Sequence, residues 1–150
     1  RCSCTDAQIR QYLGRLSRPI VERFDICAEA SPVSFEELWG RKKKNEDSAS
    51  IRTRVERARK IQAKRFEGTG IRFNSRMGKR QLERWCVLEP EAEQYMEQVY
   101  QAKGMSARTF HKALKVSRTI ADLEGGGPIQ KRHLAEAVGY RGLEEKLWRE

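Results

Sequence analysis

Only one stretch of this chain, "FDICAEA" at 24–30, sets Phe24, Ile26, Ala28 and Ala30 against Asp25, Cys27 and Glu29 with the period of two of a half-buried strand. A single strand cannot make a sheet. The fold must therefore be carried by helices, and the strand's partners are expected in sequence beyond these 150 residues. An opening Arg1 rather than Met points the same way, to a piece of something longer.

Helical spacing is plain elsewhere. Thr5 or Asp6 can cap a helix over 5–16 whose apolar residues are Ile9, Tyr12, Leu13 and Leu16. Residues 31–48, with Pro32, Gly40 and a basic run, read as a connector holding one short helical turn. From 48 to 66 the inward positions are Ile51, Val55, Ala58, Ile61 or Gln62, and Phe66, and arginines and lysines take the other faces. A glycine-containing loop at 67–75 leads to a helix over 75–88 with Met77, Leu82, Trp85 and Cys86 facing in. Glu89-Pro90 starts another, striped by Ala92, Tyr95, Met96, Val99 and Tyr100 and closed by Gly104. Ser106 caps the next, with Phe110, Ala113, Leu114, Ser117, Ile120 and Ala121 buried. Gly125-Gly126-Gly127-Pro128 breaks the chain before a last helix from about Gln130 to Val138, with Leu134, Ala137 and Val138 inside. The expected fold is mainly α, a four- or five-helix bundle preceded by a helix-strand remnant of an α/β core.

The helix after Ser106 has its charges reversed. A helix N-terminus carries partial positive charge and favours acids. Here Arg108 stands in the first turn, Lys112, Lys115 and Arg118 follow, and the first acid is Asp122. An anion held at that end would make the arrangement favourable, because amide dipoles and guanidinium then converge on one charge. Charge is also uneven along the chain. Net charge is +10, and residues 41–65 hold eleven bases against three acids. Such an excess suits nucleic acid or phosphate, or a solvated basic face. No apolar run approaches the roughly 20 residues of a membrane span. Four cysteines without a framework pattern (Cys2, Cys4, Cys27, Cys86) fit free thiols in a reducing, cytoplasmic compartment. His111 and His133 stand singly, without a neighbouring ligand at metal spacing. There is no G-x-x-x-x-G-K-[ST], no H-E-x-x-H and no Ser/His/Asp grouping, so the visible residues do not make a complete enzyme.

"SARTFHKALKVSRTIADLEGGGPIQKRHLAEAVGYR" at 106–141 resembles the C-terminal domain of magnesium-chelatase-like AAA+ ATPases of the ComM type. "IRTRVERARKIQAKRF" at 51–66 resembles the start of that domain, and residues 2–30 the end of the family's ATPase core. The resemblance implies a boundary near 46, with residues 1–46 the end of the core plus linker and 47–150 the helical lid. It also implies that the phosphate-binding loop and magnesium-holding acids lie before Arg1. The stretch Arg18-Pro19-Ile20-Val21-Glu22-Arg23-Phe24-Asp25 matches the family's arginine-finger motif, which puts the finger at Arg23; Glu22 replaces Asp and Arg18 replaces Gly. A planar guanidinium suits the spread charge of a transferring phosphoryl group. The alternative for Arg23 is a surface pair with Asp25 or Glu29. Arg108 takes the place of the lid's sensor 2 arginine, with Ser106 and Lys112 as candidate nucleotide contacts. Lys115 and Arg118 either extend that phosphate site, touch a neighbouring subunit or are solvated.

What the resemblance implies for the full protein is ATP and Mg2+ as cofactors, a hexameric ring, DNA as the substrate of a motor in natural transformation, and a bacterial cytoplasmic location. Lys42, Lys43, Lys44, Arg52 and Arg59 are the nucleic-acid candidates, a solvated face being the alternative. Cys2-x-Cys4 is half of a zinc site at most, and no metal is expected here. Two other readings stand beside this one: a basic helical nucleic-acid module without an ATPase role, and the ATPase subunit of a true porphyrin magnesium chelatase.

Overall fold

The computed structural model describes residues 3–15, 17–39 and 45–141. Within them run α1 (Asp6–Leu13), the single-turn helices α2 (Arg18–Val21) and α3 (Phe35–Leu38), α4 (Ser48–Arg65), a 3-10 turn (Asn74–Arg76), α5 (Lys79–Trp85), α6 (Pro90–Lys103), α7 (Ala107–Leu123) and α8 (Lys131–Gly139). Helices α4 to α8 form the expected mainly α bundle.

Helix α7 is its axis and packs against α4, α5, α8 and the 3-10 turn, while α6 packs on α8. Its N-terminus forms because the Ser106 hydroxyl accepts the Thr109 N–H at 3.2 Å. The apolar stripe then buries Ala113, Leu114, Ile120 and Ala121, and Ser117 fits by turning its hydroxyl onto the Ala113 carbonyl at 2.7 Å. Phe66, Met77, Leu82, Cys86, Ala92, Met96, Ile129, Leu134 and Val138 complete the core. Full burial of a side chain such as Ile129 or Leu134 contributes roughly 1.5–3 kcal/mol. Phe66 meets Trp85 edge-on, ring centres 5.1 Å apart.

Two loops set the angles. Gly104 closes α6 at φ 55°. Gly125, Gly126 and Gly127 take φ of 115°, 97° and 84°, and a Cβ on any of the three would be strained. This turn brings Ile129 beside Leu88: the Ile129 N–H reaches the Val87 carbonyl at 2.8 Å and the Glu89 N–H reaches the Ile129 carbonyl at 3.0 Å.

Three expectations need correction. Residues 24–30 form no strand, and no strand occurs among the described residues. With no neighbouring strand, the segment uses its polar groups on helices instead, and Phe24 and Ile26 point outward, more than half exposed. The helix expected from 75 starts at Lys79, because Met77 and Gly78 are extended after the 3-10 turn. Ile51 and Val55 are exposed, since the bundle covers α4 only from Ala58 onward. For Arg118 the solvated alternative falls away, because its side chain is buried. The single turn in the connector is present as α3, capped reciprocally by Ser34 and Glu37. No helix among the described residues is long and apolar enough to cross a membrane.

Candidate functional site

The N-terminus of α7 is an acid-free turn. Ser106 caps Thr109, so the Ala107 and Arg108 N–H groups lack an intrahelical partner, as the first amides of any helix do. Arg108 is exposed beside them, and its side chain has no bond or ion pair among the described residues. Amides, helix dipole and guanidinium are thus available to one anion. Ser106 is already engaged, donating to the Thr109 hydroxyl at 3.1 Å and accepting from its amide.

One turn further along, Lys112 reaches back across the chain. Its Nζ donates to the Arg23 carbonyl and lies 2.9 Å from Asp25 Oδ1. Asp25, a sequence-level partner for Arg23, is thereby taken by Lys112. Two further bonds fasten the same segment to the end of α8: Arg141 Nη1 donates to the Phe24 carbonyl at 3.0 Å, and the Cys27 N–H donates to the Tyr140 carbonyl at 2.9 Å. Val21, at the end of α2, is buried. Arg23 itself is exposed, its backbone held and its guanidinium outward. The segment, α7 and α8 enclose a cleft of about 450 Å³ lined by Asp25, Ile26, Lys112, Lys115, Thr119 and Tyr140 among others. Lys115 Nζ donates to the Ser75 carbonyl at 3.0 Å.

Sequence reasoning missed a second cluster, in the core. The Asp122 carboxylate is fully buried and accepts from Arg65 through both guanidinium nitrogens, from Asn74 Nδ2 at 2.8 Å and from Arg118 Nε at 3.1 Å. Arg118 Nη1 donates to the Gly127 carbonyl at 2.7 Å, which ties the glycine turn to α7. Burial lowers the pKa of Arg118, and Asp122 opposes that shift. The available signal was Arg118 and Asp122 four apart beside an apolar stripe; their partners Arg65 and Asn74 lie too far away in sequence to be read. Burial also pushes the Cys86 thiol up to about 11, so it is an inert core group.

Of the basic candidates, Lys42, Lys43 and Lys44 lie outside the described residues, and Arg52 and Arg59 are exposed on α4. The Arg59 guanidinium stacks 3.9 Å over the Phe73 ring, beside a groove shared with Lys60 and Arg72. Among the described residues no three or more His, Cys, Asp or Glu side chains group as metal ligands.

The family described as the magnesium chelatase subunit ChlI C-terminal domain matches residues 45–141, and magnesium chelatase subunit ChlI matches residues 1–38. The competence protein ComM of Haemophilus influenzae is 38% identical over 136 residues, 91% of this chain and 26% of that protein. The uncharacterized protein YifB of Salmonella typhimurium is 35% identical over 144 residues, 96% of this chain and 28% of that protein. The uncharacterized protein Rv2897c of Mycobacterium tuberculosis is 27% identical over 143 residues, 93% of this chain and 27% of that protein. The chain thus spans about a quarter of the length of the relatives it matches. With the helical bundle falling on one family match and the Arg23 segment on the other, the chain belongs to the ComM-type, magnesium-chelatase-like family.

Proposed function

We propose that this chain supplies two arginines to ATP hydrolysis in an AAA+ ring: Arg23 as the finger reaching a neighbouring subunit's nucleotide, and Arg108 as the sensor 2 arginine at the lid. The observation that carries the reading is the pairing of an acid-free helix start bearing an exposed Arg108 with an exposed Arg23 whose backbone is fastened to the same helix. A helix start with a free guanidinium fits phosphate oxygens, so Arg108 and the Ala107 and Arg108 amides would meet ATP there, next to the Ser106 cap. Lys112, offered at first as a nucleotide contact, is better used between the two arginines. Mg2+ would neutralise phosphate charge when bound. The chain has no phosphate loop of its own, so alone it should neither bind ATP tightly nor hydrolyse it.

The whole protein is then a bacterial, cytoplasmic, hexameric motor acting on DNA, a role that agrees with the relative named for competence. The basic face of α4, with Arg52, Arg59, Lys60 and the Arg59–Phe73 stack, supports DNA as substrate, since phosphates need only such cations. The same face is what favours the second reading, a nucleic-acid module without an ATPase role.

The test is the ATPase rate of the complete protein. Arg23→Ala should lower kcat by about 10³-fold or more. Arg108→Ala should lower it as well. Mixing Arg23→Ala with subunits lacking the phosphate-loop lysine should restore part of the rate, because each partner then completes a shared site. Unchanged rates in both arginine variants would sink the proposal and leave the basic face as the place to look.

A further inference from the structure

We infer that Lys112 is a positioning residue that couples the helix bearing Arg108 to the finger Arg23, so that phosphate captured at a subunit's own site sets the finger presented to its neighbour's site. The inference rests on the finger and sensor 2 reading above and adds the connection between them.

Three observations carry it. Lys112 lies four residues after Arg108, one turn along a continuous helix, so the two move as a unit about 6 Å apart along the axis. The Lys112 ammonium then bridges two oxygens of one short segment, the Arg23 carbonyl and the Asp25 carboxylate, with its own side chain mostly buried. The Arg23–Cys27 stretch leaves α2 in a turn, the Arg23 and Phe24 N–H groups donating to the Ile20 and Val21 carbonyls at 3.0 and 3.1 Å, and its further attachments, Arg141 to the Phe24 carbonyl and the Cys27 N–H to the Tyr140 carbonyl, run to the end of α8. Helices α7 and α8 pack closely along the core, so the segment rides on that pair. A shift of α7 that follows an anion at Arg108 therefore travels one turn to Lys112 and directly to the backbone of Arg23. The exposed guanidinium of Arg23 lies at the free end of this linkage.

Misplacing a group that acts on a transition state by about 1 Å costs ~10²-fold in rate, whereas ground-state binding hardly changes. This separates positioning from direct nucleotide contact. In the complete protein, Lys112→Gln is expected to leave the Kd for a fluorescent ATP analogue unchanged, to lower kcat by about 10- to 100-fold, and to bring the Hill coefficient of ATP hydrolysis down to one from a wild-type value above one. Lys112→Arg, which can bridge the same two oxygens, is expected to recover most of kcat and the cooperativity. Asp25→Asn should show a milder form of the glutamine phenotype and add little to it in the double variant.

Four outcomes overturn the coupling: a wild-type Hill coefficient of one; kcat and cooperativity unchanged in Lys112→Gln; a weakened Kd with kcat intact, the mark of a direct phosphate contact; or a lowered Tm with no recovery by Lys112→Arg, the mark of a merely structural pair. Arg23→Ala in the same assay separates the two levels. If it abolishes hydrolysis while Lys112→Gln behaves as wild type, the coupling alone fails. If it leaves hydrolysis intact, the finger reading fails, and the coupling with it.

Discussion

Asp122 shows what one carboxylate can hold in place. It joins α4 through Arg65, the 3-10 turn through Asn74 and the glycine turn through Arg118, and none of its surface reaches water. Two guanidiniums share its single charge, and Arg118 Nη2 is buried with no partner among the described residues. Removing the acid would leave two cations facing each other in the core. Asp122→Ala is therefore expected to cost about 3–5 kcal/mol. Arg118→Met should cost less, because Asp122 keeps Arg65 and Asn74 and loses only a partly satisfied cation. Urea unfolding of the three proteins checks the order; equal costs would mean that the cluster does not act through uncompensated charge. The sequence showed the charge reversal of α7 but not its resolution. A core role for Arg118 was not among its readings because its partner Arg65 lies in the most basic stretch of the chain, where any one arginine is hard to single out.

Among the elements, α7 was the most legible, because the Ser106 cap, an apolar stripe and the glycine run after it agree with one another. The least legible was 24–30, where alternation predicted a strand. Alternation predicts one covered face, yet Phe24, Ile26, Ala28 and Ala30 are all exposed; what the bundle takes up is backbone, the Phe24 carbonyl by Arg141 and the Cys27 N–H by the Tyr140 carbonyl. The junction between α7 and α8 also carries a pH response. Glu124, just past α7, accepts from His133 Nε2 at 3.1 Å and pairs with Arg132 at 2.7 Å. The Gln130 N–H donates to His133 Nδ1 at 3.0 Å, which leaves the imidazole proton on Nε2, facing Glu124. The His133 hydrogen bond, helped by Arg132, holds the Glu124 pKa below its ordinary value of 4.5. A carboxyl lowered on folding stabilises the fold above its unfolded value and loses that contribution as pH falls through its folded one. Glu124→Gln should accordingly be less stable than wild type near neutrality, and the two should converge below about pH 4.5. Tm measured from pH 7 to 3 checks this, and a constant gap would exclude the carboxylate as the cause.

For the molecule as a whole, burial is distributed very unevenly. Every member of the main hydrophobic cluster lies between Phe66 and Val138. Ahead of α4, Val21 is the only buried residue among those described, while Tyr12, Phe24, Ile26, Val33, Phe35, Leu38 and Trp39 remain exposed. Phe35 and Trp39 stack on each other with ring centres 5.6 Å apart. Polar links from this part to the bundle, Lys112 to the Arg23 carbonyl and Arg141 to the Phe24 carbonyl, join residues 89 and 117 positions apart, a separation at which sequence patterns carry no information. A bundle that completes its own core needs little from such a segment. Residues 45–141 expressed alone should therefore give a strongly helical circular dichroism spectrum and one cooperative thermal transition, less stable than the same chain carrying residues 1–44 by no more than those links contribute, about 0.5–1.5 kcal/mol for each hydrogen bond. The same separation makes the Lys112 linkage useful: a weakly held segment can follow α7 without disturbing the core. A gradual, non-cooperative melt of residues 45–141 would show instead that the N-terminal segment is part of the folding unit, and its contacts would then have to be counted with the core.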